Sequence, residues 1–357
     1  MAQPGVEGCL PELCQQMVFL EKKYDTVWCK SIEEMLEMIE ADELVVDGVI
    51  IAVPHHYHFD VGTKALKAGL HILMEKPLTA DMKEAQALYE LAMRHPEQAF
   101  IINNTANWQK GSREAFRSVA SGSLGELRHV NCVFAAPLNW LFEGDHHGGW
   151  SRPHGTMQGN GFGWGQFSHT FSWVFKVTGL VPKTVYAVCR SSERTGADLF
   201  DAVTVTCTNG ATISASGVGS CPDQGFKVIS NWLFGTKGML NYSGLAGSDN
   251  VKIDQAAGKT DVEGDGGRAH LEIWYNDGTY ERGPPVEFEH LDQGGTGPGS
   301  LDALILACKG KPYYDGSSIV EGIKCVCTIE AMYRSAKSHR PEEVIIFPNF
   351  QNYNGNI

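Results

Sequence analysis

The stretch GLHILMEKPLT (69–79) runs from an apolar segment into Glu75-Lys76-Pro77. A lysine half-removed from water can give or take a proton, or donate a hydrogen bond to a substrate hydroxyl. Glu75 is expected to help hold the neighbouring amine. Pro77, with no N–H and a fixed φ, stiffens the turn that follows. Taken alone, the tripeptide reads first as a surface ion pair at a strand end. A second chemistry is offered by imidazoles. HHYH (55–58) and DHH (145–147) hold histidines at spacings that can ligate zinc. No carboxylate stands at regular ligand spacing to them, so no metal site is expected.

Lys76 matters only if the chain around it puts it at the mouth of a sheet. SIEEMLEMIEADE (31–43) has helical apolar spacing behind a Ser cap. LVVDGVIIAVP (44–54) is a near-continuous β-branched run, the pattern of a parallel strand buried on both faces. A short amphipathic helix over 60–70, a strand over 71–75, a long helix over 81–95 and a strand over 99–104 follow. This alternation is that of a doubly wound domain, whose ligands lie beyond the carboxyl ends of the strands. After Gly125 the texture changes to strands separated by turns. LRHVNCVFAA, KTVYAVCR, AVTVTCTNGATISASG, FKVISNWLFG, MLNYSG and AHLEIWYNDGTYER all read this way, with TNGA and YNDGTY as hairpin turns. They predict a mostly antiparallel sheet, closed by a helix over 322–339. Gly-rich stretches at 144–165, 244–267 and 294–299 read as loops.

The 357 residues suit two domains, and 43% apolar content suffices for a packed core. No apolar run reaches the roughly 18 residues of a membrane span. The first residues lack a basic start followed by an apolar core, so no secretory signal is expected. A net charge of −13 argues against nucleic acid, which selects basic faces. The ten cysteines form no CxxC pair, and Cys325 and Cys327 stand too close for a zinc knuckle. Reduced, mostly buried thiols in a cytoplasmic protein are the expectation.

Residues 49–92, VIIAVPHHYHFDVGTKALKAGLHILMEKPLTADMKEAQALYELA, resemble the glucose–fructose oxidoreductase/inositol dehydrogenase/MocA family along their whole length. The shared features are a strand ending in Pro-x-x-x-His (Pro54, His58), a strand entry Ala-Gly-x-His (Ala68, Gly69, His71), and Glu-Lys-Pro. SGSLGELRHV (121–130) is similar to the family's crossover into its second domain, and LFGTKGML (233–240) to its Gly-x-x-Gly hairpin. LDALILACKGKP (301–312) and EAMYRSAKSHRPEEV (330–344) resemble its closing helices. The resemblance implies hydride exchange between NAD or NADP and a CH–OH carbon of a sugar or cyclitol, with Lys76 at the reacting hydroxyl.

The resemblance implies a second site in GNGFGWGQFSHTFSWVFKVTG (159–179), with His169 on the family's histidine and Gly179 ten residues on, at the helix end. His169 would relay the proton that leaves as hydride departs. It places Pro54, His58, Glu75, Lys76, Trp150 and Arg152 with the cofactor. Lys76, Asn107, Trp164, Gln166 and His169 are placed with the substrate. Trp164 would stack on a sugar face; a buried core position is equally open.

The sequence departs from the family pattern twice. Gly165 stands where the family's Asp precedes His169, and Gln166 beside it can hydrogen-bond but is no base at neutral pH. No G-x-G-x-x-G turn follows an opening strand, so about forty residues of the family's Rossmann unit, with its pyrophosphate cradle and ribose selector, are expected to be missing. NAD and NADP are therefore not distinguishable. The expected fold is a truncated Rossmann-like domain over 1–123, then a mostly antiparallel open-sheet α+β domain over 124–345, with closing helices over 299–340 packing back. The expected assembly is a homo-oligomer through the second sheet. The alternatives are a cofactor-deficient sugar-binding paralogue and a redox-assisted glycosidase of the same family.

Overall fold

The computed structural model describes residues 23–144, 157–221, 227–246, 270–286 and 299–345. It opens with α1 (Ile32–Glu40), whose Ser31 cap accepts from the Glu34 N–H. The strand predicted over 44–54 is shorter, β1 (Gly48–Ile51). Its forward part is spent on the helix end: the N–H groups of Glu43 and Leu44 both donate to Met38 O. A 3₁₀ turn, His55–Tyr57, leads into α2 (His58–Lys67), then β2 (His71–Met74), α3 (Met82–Met93) and β3 (Phe100–Ile102). Asp81 caps α3, its Oδ1 accepting from Lys83 N at 2.8 Å and Glu84 N at 3.0 Å. Among the described residues the sheet is β1-β2-β3, all parallel.

Helix α4 (Lys110–Ala120) leads to β4 (Leu127–Ala135) and the second sheet. Its other strands are β5 (Pro182–Ser191), β6 (Asp198–Cys207), β7 (Thr212–Val218), β8 (Lys227–Gly235), β9 (Gly238–Ala246), β10 (His270–Tyr275), β11 (Tyr280–Pro285) and β12 (Glu342–Glu343). Their order is β11-β10-β9-β8-β4-β7-β6-β5-β12, antiparallel except for the β4–β7 pair. Short α5 (Asn139–Phe142), a π-helical turn (Gly163–Phe167) running into α6 (Ser168–Thr178), and α7 (Gly299–Cys308) complete the connections. The Gly-rich stretch read as a loop to residue 165 is thus helical from Gly163.

The last helix, α8 (Ile319–Ser338), begins with a Ser318/Glu321 capping box. It packs on α3, α6 and β5, and its buried residues surround the helix rather than forming a stripe. Ile102 N donates to Ser317 O at 2.9 Å, so the start of α8 also covers the end of β3. One continuous apolar core therefore runs from the parallel sheet through α8 to the inner face of the second sheet. Helix α4 packs on α6, where Trp173 Nε1 donates to Ser112 Oγ at 2.9 Å. Among the described residues no helix is long and apolar enough to cross a membrane.

Candidate active site

Because the sheet is parallel, the carboxyl ends of β1, β2 and β3 share one edge, where a doubly wound fold has its crevice, and Ala52–Pro54, Glu75–Lys76 and Asn103 follow them there. Glu75 N still donates to Ile51 O at 2.9 Å and Asn103 N to Met74 O at 2.7 Å, so the sheet ladder holds the backbone up to the crevice. Successive residues of an extended chain face opposite ways. Glu75 turns to β3, where Asn103 Nδ2 donates to its Oε1 at 2.6 Å. Asn103 Oδ1 in turn accepts from Ser300 Oγ at 2.7 Å. The expectation that Glu75 holds the Lys76 amine is thereby corrected: the carboxylate is held by Asn103. Lys76 reaches across to the second domain and donates from Nζ to Gly165 O at 2.7 Å.

Gly165 lies within the π-helical turn. Gln166 and His169 follow it, three residues apart and so on one helical face, and both are half-buried. Trp164, Phe167 and Phe171 are buried in the core instead. The turn thus separates a packed side from a less buried one, and Lys76 is bonded one turn before His169. The helix ends at Gly179, whose φ of 67° is the left-handed C-cap geometry.

Several expected site residues are placed otherwise. Trp164 is fully buried, donates from Nε1 to Gln158 O at 2.9 Å, and packs against Tyr333, so it offers no face to a sugar. Asn107 is buried too. Its Nδ2 donates to Ser172 Oγ and to Gly316 O, tying α6 and the approach to α8 to the first domain. His58 is buried between two carbonyls, with Pro77 O 2.8 Å from Nδ1 and Val53 O 3.0 Å from Nε2. Burial pushes its pKa down against the pull of those carbonyls. Kept neutral, the imidazole donates to one of the two carbonyls, the tautomer deciding which, and it is buried rather than exposed at the strand ends. Pro54 is exposed at the crevice edge. Trp150, Arg152 and the Asp145-His146-His147 run lie outside the described residues. Among the described residues no group of three or more His, Cys, Asp or Glu is placed to hold a metal ion.

Asn103 and Ser300 were not singled out from the sequence. Asn103 had a legible signal, because it ends the third strand, where the crevice rule puts ligand-facing groups. Ser300 had none; its partner lies 197 residues away.

Two family models match in sequence order. Residues 14–103 match the oxidoreductase family's NAD-binding Rossmann fold, and residues 112–241 match the GFO/IDH/MocA C-terminal domain. An uncharacterized oxidoreductase, ORF334, of Rhizobium meliloti is 35% identical over 100 residues, 26% of this chain and 29% of the relative. An inositol 2-dehydrogenase of Corynebacterium glutamicum is 33% identical over 103 residues, 29% of this chain and 30% of the relative. The chain spans less than two thirds of the length of the first curated relatives it matches. The crystal structure of the WlbA dehydrogenase from Bordetella pertussis, in complex with NADH and UDP-GlcNAcA, shares the fold. Its TM-score is 0.66 at 17% identity, over 94% of this chain and 88% of that one.

Proposed function

This chain belongs to the GFO/IDH/MocA oxidoreductase family, and from that premise we propose that it is a dehydrogenase acting on a CH–OH group of a sugar, sugar derivative or cyclitol. The observation that carries the reading is the Lys76–Gly165 hydrogen bond, which joins the lysine at the sheet mouth to the helix bearing His169. The names of the inositol dehydrogenase and of the UDP-sugar-bound dehydrogenase support the substrate class.

The residues at the strand ends fit the nicotinamide end of a dinucleotide. Ala52 and Pro54 are exposed and carry no long side chain into the crevice. Beside them the Glu75 carboxylate is fixed by Asn103. The bound cofactor would supply the carbon that accepts hydride. Among the described residues no glycine-rich turn follows a strand to receive the pyrophosphate.

Lys76 Nζ would hydrogen-bond the reacting hydroxyl and take its proton as the C–H bond is lost. The bond to the Gly165 carbonyl orients the amine. His169, on the open face of α6, would pass that proton to solvent. Gln166 would accept from or donate to a neighbouring hydroxyl. The buried, neutral His58 would donate to the Val53 or the Pro77 carbonyl and so help hold that backbone in place.

The test is reduction of NAD or NADP by a panel of free sugars and cyclitols, with glycosides alongside. Lys76→Met should lower turnover at least about 100-fold, the lower range for a positioned proton-transfer group. Near-normal turnover in that variant would remove Lys76 from the mechanism. Release of free sugar from the glycosides without net cofactor reduction would replace the dehydrogenase reading with the glycosidase one.

A further inference from the structure

Behind the site sits a pair of carboxyls that the chemistry above does not use. Asp198 and Asp201 are 2% and 4% exposed, at the start of β6. Three residues apart on a regular strand they would face opposite ways. A bulge prevents this: Arg190 pairs with Phe200 and Ser191 with Asp198, so Leu199 is passed over and both acids turn to the core. Asp201 lies close enough for the two carboxyls to feel each other, and its own oxygens have no hydrogen-bond partner among the described residues. Burial, and for Asp201 the neighbouring Asp198 charge, push both pKa values up. Among the described residues, the other titratable groups facing the pair are the Cys189 thiol on β5 and the Tyr333 phenol on α8. Neither carries positive charge.

Asp198, by contrast, has partners. Tyr333 OH donates to Oδ1 at 2.7 Å, and the backbone N–H of Gly163 donates to Oδ2 at 2.8 Å. Asp198 N also donates to Asn160 O at 2.8 Å. Gly163 is the first residue of the π-helical turn, and the carbonyl that receives Lys76 is two residues further on. The segment can lie this close only because it lacks side chains at the right places. A Cβ on Gly159 would stand 2.1 Å from the Tyr333 ring, one on Gly161 2.6 Å from Asp198 backbone, and one on Gly163 2.5 Å from the Tyr333 hydroxyl. The spacing of GNGFGWG is thus the imprint of Tyr333 and Asp198 on the segment that enters the site.

We propose that Asp198 is a positioning residue: held at Oδ1 by Tyr333, its carboxyl group clamps the Gly163 N–H through Oδ2 and thereby sets the Gly165 carbonyl against Lys76. This rests on the reading of Lys76 as the proton-transfer group. The N–H bond to a carboxylate is charge-assisted and short, so it fixes the turn at the end where Lys76 docks.

The experiment measures acylation of individual lysines by peptide mass spectrometry, as the rate at Lys76 relative to exposed Lys183, with buried Lys324 reporting general opening. Asp198→Ala should raise the Lys76 rate about tenfold or more, the size expected for losing a hydrogen bond to a charged group, and leave Lys324 unchanged. Equal rates in variant and wild type, or Lys76 and Lys324 rising together, would overturn the proposal. Should Asp198→Ala not fold, Tyr333→Phe decides. It removes the hydroxyl that holds Asp198 Oδ1, so it should raise the Lys76 rate and leave Lys324 unchanged. A Lys76 rate equal to wild type would overturn the proposal. The labelling needs no cofactor or substrate. An inactive chain would therefore sink the role of Lys76 and leave the clamp standing, and unchanged labelling in an active enzyme would sink the clamp alone.

Discussion

Asn103 Nδ2 donates to Glu75 Oε1 across 2.6 Å, tying the residue after β2 to the residue after β3. The carboxylate next to Lys76 is in this way spent on the sheet, and the lysine is left to reach the other domain. Asn103→Ala should release Glu75, lower kcat/KM about tenfold and reduce stability by about 1.5–3 kcal/mol, the range for a hydrogen bond to a charged group. Urea unfolding and steady-state kinetics on the same preparation check both. A kcat/KM equal to wild type would show that the position of Glu75 is irrelevant to the reaction.

His169 stands half-buried on the open face of α6, not among the core residues of that helix. His169→Ala should therefore cut turnover on the order of 100-fold, within the range for an acid–base group, and leave the melting temperature within a few degrees of wild type. A variant that unfolds instead would make the imidazole a packing residue.

Trp164 is enclosed on all sides and hydrogen-bonded through its indole N–H. Trp164→Ala should cost about 3–5 kcal/mol, as truncation of a buried aromatic does. Trp164→Phe should retain most of the stability and leave KM for any sugar unchanged. A selective rise in KM with full stability would return Trp164 to the substrate site.

Burial and the neighbouring Glu321 carboxylate raise the pKa of Asp315 to about 6, against the opposing pull of Lys176 and the Ser317 backbone N–H. The folded state thus binds this proton more tightly than the unfolded chain, where a free Asp titrates near about 3.9. Its contribution to stability is present below about pH 4 and is lost as pH rises through about 6. Asp315→Asn, measured against wild type by denaturant unfolding between pH 4 and 7, should become relatively more stable as pH rises. A stability difference independent of pH would show that Asp315 ionises in the native protein as it does in the unfolded one.

Much of this protein was legible in its sequence because local rules decided it. The β-branched run, the Ser31 and Asp81 caps, and the alternation of strand and helix sufficed for a parallel sheet. The hairpin turns at TNGA and YNDGTY, where Gly210 and Gly278 take positive φ, marked the antiparallel one. Lys76 and His169 stood out through their places in recognisable motifs, and the Lys76–Gly165 bond brings those two segments together.

What the sequence did not determine depended on partners far away in the chain. Trp164 and Asn107 have residue types that suit a sugar site, but whether such a side chain faces a ligand or the core is decided by what packs on it, here Tyr333 and Gly316. Glu75 precedes Lys76 in the chain, yet strand geometry sends its carboxylate to Asn103. Asp198 and Asp201 look like ordinary polar positions on a half-exposed strand. Only the bulge that skips Leu199 turns both inward, beneath the glycines of the site segment. Contacts of high sequence separation carry no local pattern, so the fold class and the two motif residues could be read from the chain, and the supports that hold them could not.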